Sequence, residues 1–174
     1  KVSEYTSDAK DDPEIIKKYV EMMDYLRSDR VYLMAGSKYV LTEFSASTEE
    51  RYIKDRLYAM LSNGYKPIIA HIERYNCMRD LDLVESLLNM GACMQINADS
   101  IIGKDGFFTR RYCNKAMKYG LIHFVGSDCH NSTQRITRIG EAYKMTAKKL
   151  GQDYADELFI HNPEEILKNK PHVD

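Results

Sequence analysis

The sequence predicts an α/β fold in which parallel strands are wrapped by helices. Three observations predict it. Apolar runs of strand length alternate with helical patterns along the chain, the connections between them are short, and most helical patterns carry their own start or stop residues. At 174 residues the chain suits one domain, 1–174, with length enough for a sizeable core.

Each element has its own reason. "DPEIIKKYVEMMDYLRS" reads as a helix, with Asp12 as N-cap and Pro13 at the first helical position. "VYLM" and "KYVLTEF" are strands, rich in β-branched and aromatic residues. "STEERYIKDRLYAMLSNG" is a helix: Ser47 and Glu50 have capping-box spacing, Ile53, Leu57, Met60 and Leu61 share a face, and Gly64 ends it. Then follow the strand "KPIIAHI", the glycine-stopped helix "DLDLVESLLNMG", the strand "ACMQINA" and the loop "DSIIGKDGFF". "TRRYCNKAMKYG" is a helix, "LIHFVGSD" a strand and "ITRIGEAYKMTAKKLG" a helix. The chain closes with "DYADELFI" and with "NPEEILKN", where Asn162, Pro163 and Glu165 make another start signal. No GxGxxG follows a strand, which weighs against dinucleotide binding; local patterns leave a barrel and an open sheet equally open.

Composition narrows the function classes. With 25 basic and 26 acidic residues the chain is balanced, which argues against a general nucleic-acid or acidic-membrane binder. No run approaches the length of a membrane span, and no signal peptide opens the chain. Cys77, Cys93, Cys113 and Cys129 are irregularly spaced, so free thiols in a reducing cytoplasm are expected.

Chemistry gathers at the C-terminal ends of strands in such folds. His71 ends "PIIAH", Asn97 ends "MQIN", and Asp128 and His130 end "HFVGSDCH". A D-x-H pair with a histidine from a second strand suits Mn²⁺, Fe²⁺ or Zn²⁺, which would activate water and polarise a phosphoryl or carbonyl oxygen. Arg74 and Arg135 accompany these candidates, and their planar forks match phosphate. The plainer reading pairs Arg74 with Glu73 or Asp80, and Arg135 with Glu141. His123 belongs to a core strand, whereas His161 and His172 belong to the surface. Cys129 is expected to point away from its neighbours by strand-like alternation, and Arg135 is expected to stand out of register for a Cys-x5-Arg phosphate loop, so a cysteine nucleophile is not expected.

"GSKYVLTEFS", "GYKPIIAHIERY", "GACMQINADSIIGK", "HFVGSDCHN" and "EAYKMTAKKLG" together resemble the PHP-type (polymerase and histidinol phosphatase) protein-tyrosine phosphatases of bacterial capsule and exopolysaccharide operons. The resemblance implies a distorted (β/α)7 barrel of TIM-like form and two to three divalent metals, usually Mn²⁺. These would hold a hydroxide that attacks phosphotyrosine directly. It implies His71, Asp128 and His130 as metal ligands and Arg74 and Arg135 as phosphate-binding catalytic residues. The implied substrate is the tyrosine-rich tail of a kinase that controls polysaccharide synthesis, and a homo-oligomer is compatible. The family's opening H-x-H strand and acidic turn are missing, Glu4 is the one nearby glutamate, and Ile72 stands where proline is commoner. The chain is thus expected to be roughly the C-terminal two-thirds of such an enzyme, N-terminally truncated. Two other readings are a PHP phosphatase of a small molecule such as histidinol phosphate, and a non-catalytic binding remnant.

Overall fold

The computed structural model describes residues 33–129 and 137–168. Four strands, β1 (Tyr39–Thr42), β2 (Lys66–Ile69), β3 (Cys93–Asn97) and β4 (Phe124–Gly126), lie side by side in chain order, and every pairing is parallel. The expected α/β class is therefore observed. The strand order never reverses among the described residues, so the sheet shows no switch point of the doubly wound kind. The helix expected after Asp12 lies outside the described residues. Only Leu33 and Met34 of the expected "VYLM" strand fall within them, and Met34–Gly36 is a 3₁₀ turn.

Helices α1 (Glu50–Ser62) and α2 (Leu81–Met90) follow β1 and β2. The apolar face of α1 buries Ile53, Leu57 and Met60, as its spacing predicts. Its capping box does not form. Helix α1 starts at Glu50 with Glu49 as an N-cap that makes no side-chain bond. Ser47 sits instead in a turn closed by the Thr48 amide donating to the Ser45 carbonyl at 2.9 Å. Helix α2 ends at its expected glycine and starts at a side-chain cap. The Asp80 carboxylate accepts from the Asp82 amide at 3.0 Å, and Gly91 stops the helix at φ 109°, a conformation that L side chains resist. A Cβ on Gly91 would also stand 3.3 Å from Leu61.

The segment after β3 departs from its expected loop. Ala98–Ile102 forms a short helix, α3, because Ala98, Ser100 and Ile101 are buried and reward the ordered turn. Gly103 then accepts a left-handed backbone, and α4 (Phe107–Lys118) begins two residues before "TRRY". In "LIHFVGSD" only Phe124–Gly126 forms the strand; Leu121 and Ile122 fill the core ahead of it. Helix α5 (Ile139–Leu150) is followed by α6 (Gln152–Asp156), a π-helical stretch Glu157–His161 and α7 (Asn162–Lys168). Helix α7 begins at Asn162, where the start signal lies, but it continues directly from the π-helical stretch, and the Asn162 side-chain amide donates to the His123 carbonyl at 2.9 Å. The main core unites α1, α2 and α4 with Ile69, Met94 and Ile96 of the sheet. The thiols of Cys77, Cys93 and Cys113 are unbridged. No helix among the described residues is long and apolar enough to cross a membrane.

His123 is half-buried where β4 begins, and its Nδ1 accepts from the Met94 amide at 3.4 Å. Burial lowers its pKa below the ordinary 6.5, opposed by Glu157. The folded chain therefore keeps this imidazole neutral at pH values where the unfolded chain takes up a proton. Its contribution to stability is full above pH 6.5 and is lost as pH falls through the window below that value. We expect the urea midpoint to drop on acidification through this window, and His123→Gln to flatten the drop. An equal slope in both proteins would assign it to another group.

Candidate active site

The C-terminal rim of the sheet collects the polar residues. Glu43 follows β1, His71 lies two residues beyond β2, Asn97 ends β3 and Asp128 lies two residues beyond β4. His71 and Asp128 both hold left-handed backbones, at φ 35° and 47°. Neither residue type adopts this conformation freely, and such strain persists only where surrounding bonds over-determine it.

Gln95 supplies much of that constraint. This buried β3 side chain accepts from the His71 amide at 3.1 Å and donates to the Ile96 carbonyl at 2.7 Å and to Asn97 Oδ1 at 3.0 Å. It has room because residue 126 is glycine: a Cβ there would stand 2.6 Å from Gln95 Nε2. Asn97 carries the network onward, donating through Nδ2 to Asp128 Oδ2 at 3.2 Å.

Two close side-chain pairs decorate the rim. His71, only 6% exposed, places Nε2 2.9 Å from Glu43 Oε1. Its Nδ1 is shut off from solvent with no hydrogen-bond partner. Arg74 Nη1 reaches Asp128 Oδ2 at 2.8 Å, so its partner is neither Glu73 nor Asp80. The neighbouring Arg138 holds both carboxylate oxygens of Asp99, at 3.2 and 3.3 Å.

Glu73 is turned inward. Its Oε1 accepts from the Asn97 amide at 3.0 Å and lies 2.7 Å from Ser100 Oγ, while Oε2 is buried without a partner. Ser100 Oγ also lies 2.6 Å from Asp105 Oδ2. One hydroxyl hydrogen cannot serve two carboxylates, so the trio needs a second proton. Burial raises the Glu73 pKa above the ordinary carboxylate range, which makes Glu73 the carboxyl best suited to carry it.

Of the residues expected from sequence, the structure brings His71, Arg74, Asn97 and Asp128 to one rim. His130 and Arg135 lie outside the described residues. Among the described residues no group of three or more His, Cys, Asp or Glu side chains converges at metal-holding distance. Sequence reasoning missed Glu43, Gln95 and Arg138. Glu43 had a signal, being the first charge after an apolar strand run, as His71 is after "PIIA". The alternation expected for Cys129 fails, because Asp128 is left-handed and not extended. Cys129 and Arg135 do stand at Cys-x5-Arg spacing, but "HNSTQ" between them holds no glycine to curl backbone amides around a phosphate.

A family model described as "Capsular polysaccharide synthesis, CpsB/CapC" matches residues 13–168. The chain is 35% identical over 155 residues to the tyrosine-protein phosphatase CpsB of Streptococcus agalactiae, a match covering 86% of this chain and 64% of that protein. It is 31% identical over 156 residues to the tyrosine-protein phosphatase YwqE of Bacillus subtilis, covering 89% and 61%. A solved structure from work on YwqE of Bacillus subtilis and CpsB of Streptococcus pneumoniae, described as unique metal-dependent tyrosine phosphatases, aligns with a TM-score of 0.79. That alignment is 26% identical and covers 91% of this chain and 71% of the other. The chain thus spans 64% of the length of the first of these relatives.

The space that Gly126 leaves for Gln95 generates a prediction. Gly126→Ala should displace the carboxamide, release the His71 amide and destabilise the fold by about 1–3 kcal/mol. Urea unfolding checks the stability. Amide exchange at His71, faster than in the parent, checks the local effect.

Proposed function

The chain belongs to the CpsB/CapC capsular polysaccharide synthesis family, and from that premise we propose that its sheet rim takes part in metal-dependent hydrolysis of phosphotyrosine on proteins. The observation that carries the proposal is the placement of two close pairs, His71–Glu43 and Arg74–Asp128, at one end of the sheet, with His71 and Asp128 on left-handed backbones. The names of the relatives support the reaction class. In our reading the substrate is a kinase that regulates capsular or exopolysaccharide synthesis, met in the cytoplasm, where unbridged thiols are stable.

The donors suit a divalent metal. An imidazole with an orphaned buried nitrogen and two carboxylates offer nitrogen and hard oxygen ligands, and His130 follows Asp128 at D-x-H spacing. We assign His71, Asp128 and His130, with Glu43 added by the geometry, to holding Mn²⁺, two to three ions in a complete site. When bound, such ions supply an activated water and polarise the phosphoryl group.

The protein's own side chains do the rest. Arg74 is pre-aimed by Asp128, and a phosphate entering the rim would offer its fork a richer set of oxygens than one carboxylate. Arg135 provides the second guanidinium in this reading. Gln95 and Asn97 hold the histidine and aspartate turns still, so little reorganisation remains on binding. We further read the unreversed parallel sheet as part of a distorted (β/α)7 barrel in a single PHP domain spanning 1–174.

The test uses the full-length protein with a phosphotyrosine peptide and Mn²⁺. Phosphate release should need the metal and stop with a chelator. His71→Ala and Asp128→Ala should each lower kcat/KM by about a hundredfold or more, together with bound manganese. Arg74→Lys, which keeps the charge but loses the planar fork, should raise KM about tenfold. Hydrolysis that survives both alanine changes would sink the proposal.

A further inference from the structure

Phe107 and Phe108 are the most exposed large apolar side chains among the described residues, at 71% and 84%. Their rings meet edge to face with centroids 5.7 Å apart, so they form one patch and not two isolated exposures. The patch opens α4. Asp105, two residues before it, is tied through Ser100 to Glu73, the immediate neighbour of Arg74. The loop that leads into the apolar pair is therefore tied, through buried Ser100, to the turn that presents the candidate phosphate-binding arginine.

Its neighbours in sequence carry more positive than negative charge. Lys104 and Arg111 are exposed on either side, and half-buried Arg110 lies between Arg111 and the pair in sequence. The acid closest in sequence, Asp105, is exposed too, with its Oδ2 engaged by Ser100 Oγ at 2.6 Å. Helix α4 contains no acidic residue, and its first turn lacks the carboxylates that the helix dipole favours there. Cations so close to a helix N-terminus oppose helix stability, which suits a surface kept for binding an anion.

We propose that Phe107 and Phe108, with Lys104 and Arg111, dock the polypeptide that flanks the phosphorylated tyrosine: an acidic segment carrying an apolar side chain. Charge complementarity selects an acidic occupant, and the link through Ser100 to the Arg74 turn selects the substrate chain itself. The inference rests on the phosphotyrosine reading above and assigns it a specificity surface outside the reacting groups.

The experiment compares an acidic, leucine-containing phosphotyrosine peptide with p-nitrophenyl phosphate, using full-length protein and Mn²⁺. The double variant Phe107→Ser/Phe108→Ser should raise KM for the peptide about tenfold at unchanged kcat, while p-nitrophenyl phosphate turnover stays the same. Arg111→Glu should shift peptide KM in the same direction. An unchanged peptide KM, or equal losses on both substrates, overturns the proposal. So does a double variant that loses binding to phosphatidylserine vesicles but keeps its peptide KM, since the surface would then face a membrane. If the parent hydrolyses neither compound, the phosphotyrosine reading fails separately, and peptide binding by fluorescence anisotropy decides. Weaker binding by the double variant keeps the docking surface, and equal binding removes it.

Discussion

The carboxamide of Gln95 is the interaction on which the rim depends. It occupies a buried position in β3, where an unsatisfied amide would cost on the order of 1–3 kcal/mol, yet its oxygen and nitrogen both find partners. Through them it ties the turn after β2 to the end of β3, and Asn97 extends the tie to the turn after β4. Parallel pairing with Asn97 opposite Gly126 makes this reach possible. A side chain at 126 would close the space that the carboxamide needs.

Around this hub the rim concentrates costly features. Two non-glycine residues are left-handed, a histidine nitrogen is buried without a partner, and a carboxyl with raised pKa shares a serine with a second carboxyl. None of these contributes to a stable core, which elsewhere is built from Ile, Leu, Met and Ala in regular packing. Strain and perturbed ionisation cluster where a protein handles charge, and here they cluster at one end of one sheet. The Glu73–Ser100–Asp105 contacts also tie that end, through the buried Ser100 side chain, to the loop that precedes α4.

Local signals were legible where the cause was local. Gly91 stops α2 because a left-handed glycine acts within a few residues. The apolar face of α1 followed from its spacing. Ser47 carried an equally good signal and failed, because a turn engaged it, whereas Asn162 does open α7 while its side chain bonds the His123 carbonyl. The segment from Ala98 to Ile102 was hidden behind its glycines, since its helix is stabilised by burial against distant residues and not by propensity.

By itself the sequence determined the alternation of strands and helices, and with it the arrival of His71, Asn97 and Asp128 at strand ends. Period and chain order are local properties, and parallel pairing then brings successive strand ends to one side. Only the tertiary structure decided which polar side chain meets which. Arg74 takes Asp128 in preference to the acids beside it in sequence, and His71 takes Glu43 from the adjacent strand. Those partnerships depend on strand register and on two left-handed turns, both held by contacts between residues far apart in the chain.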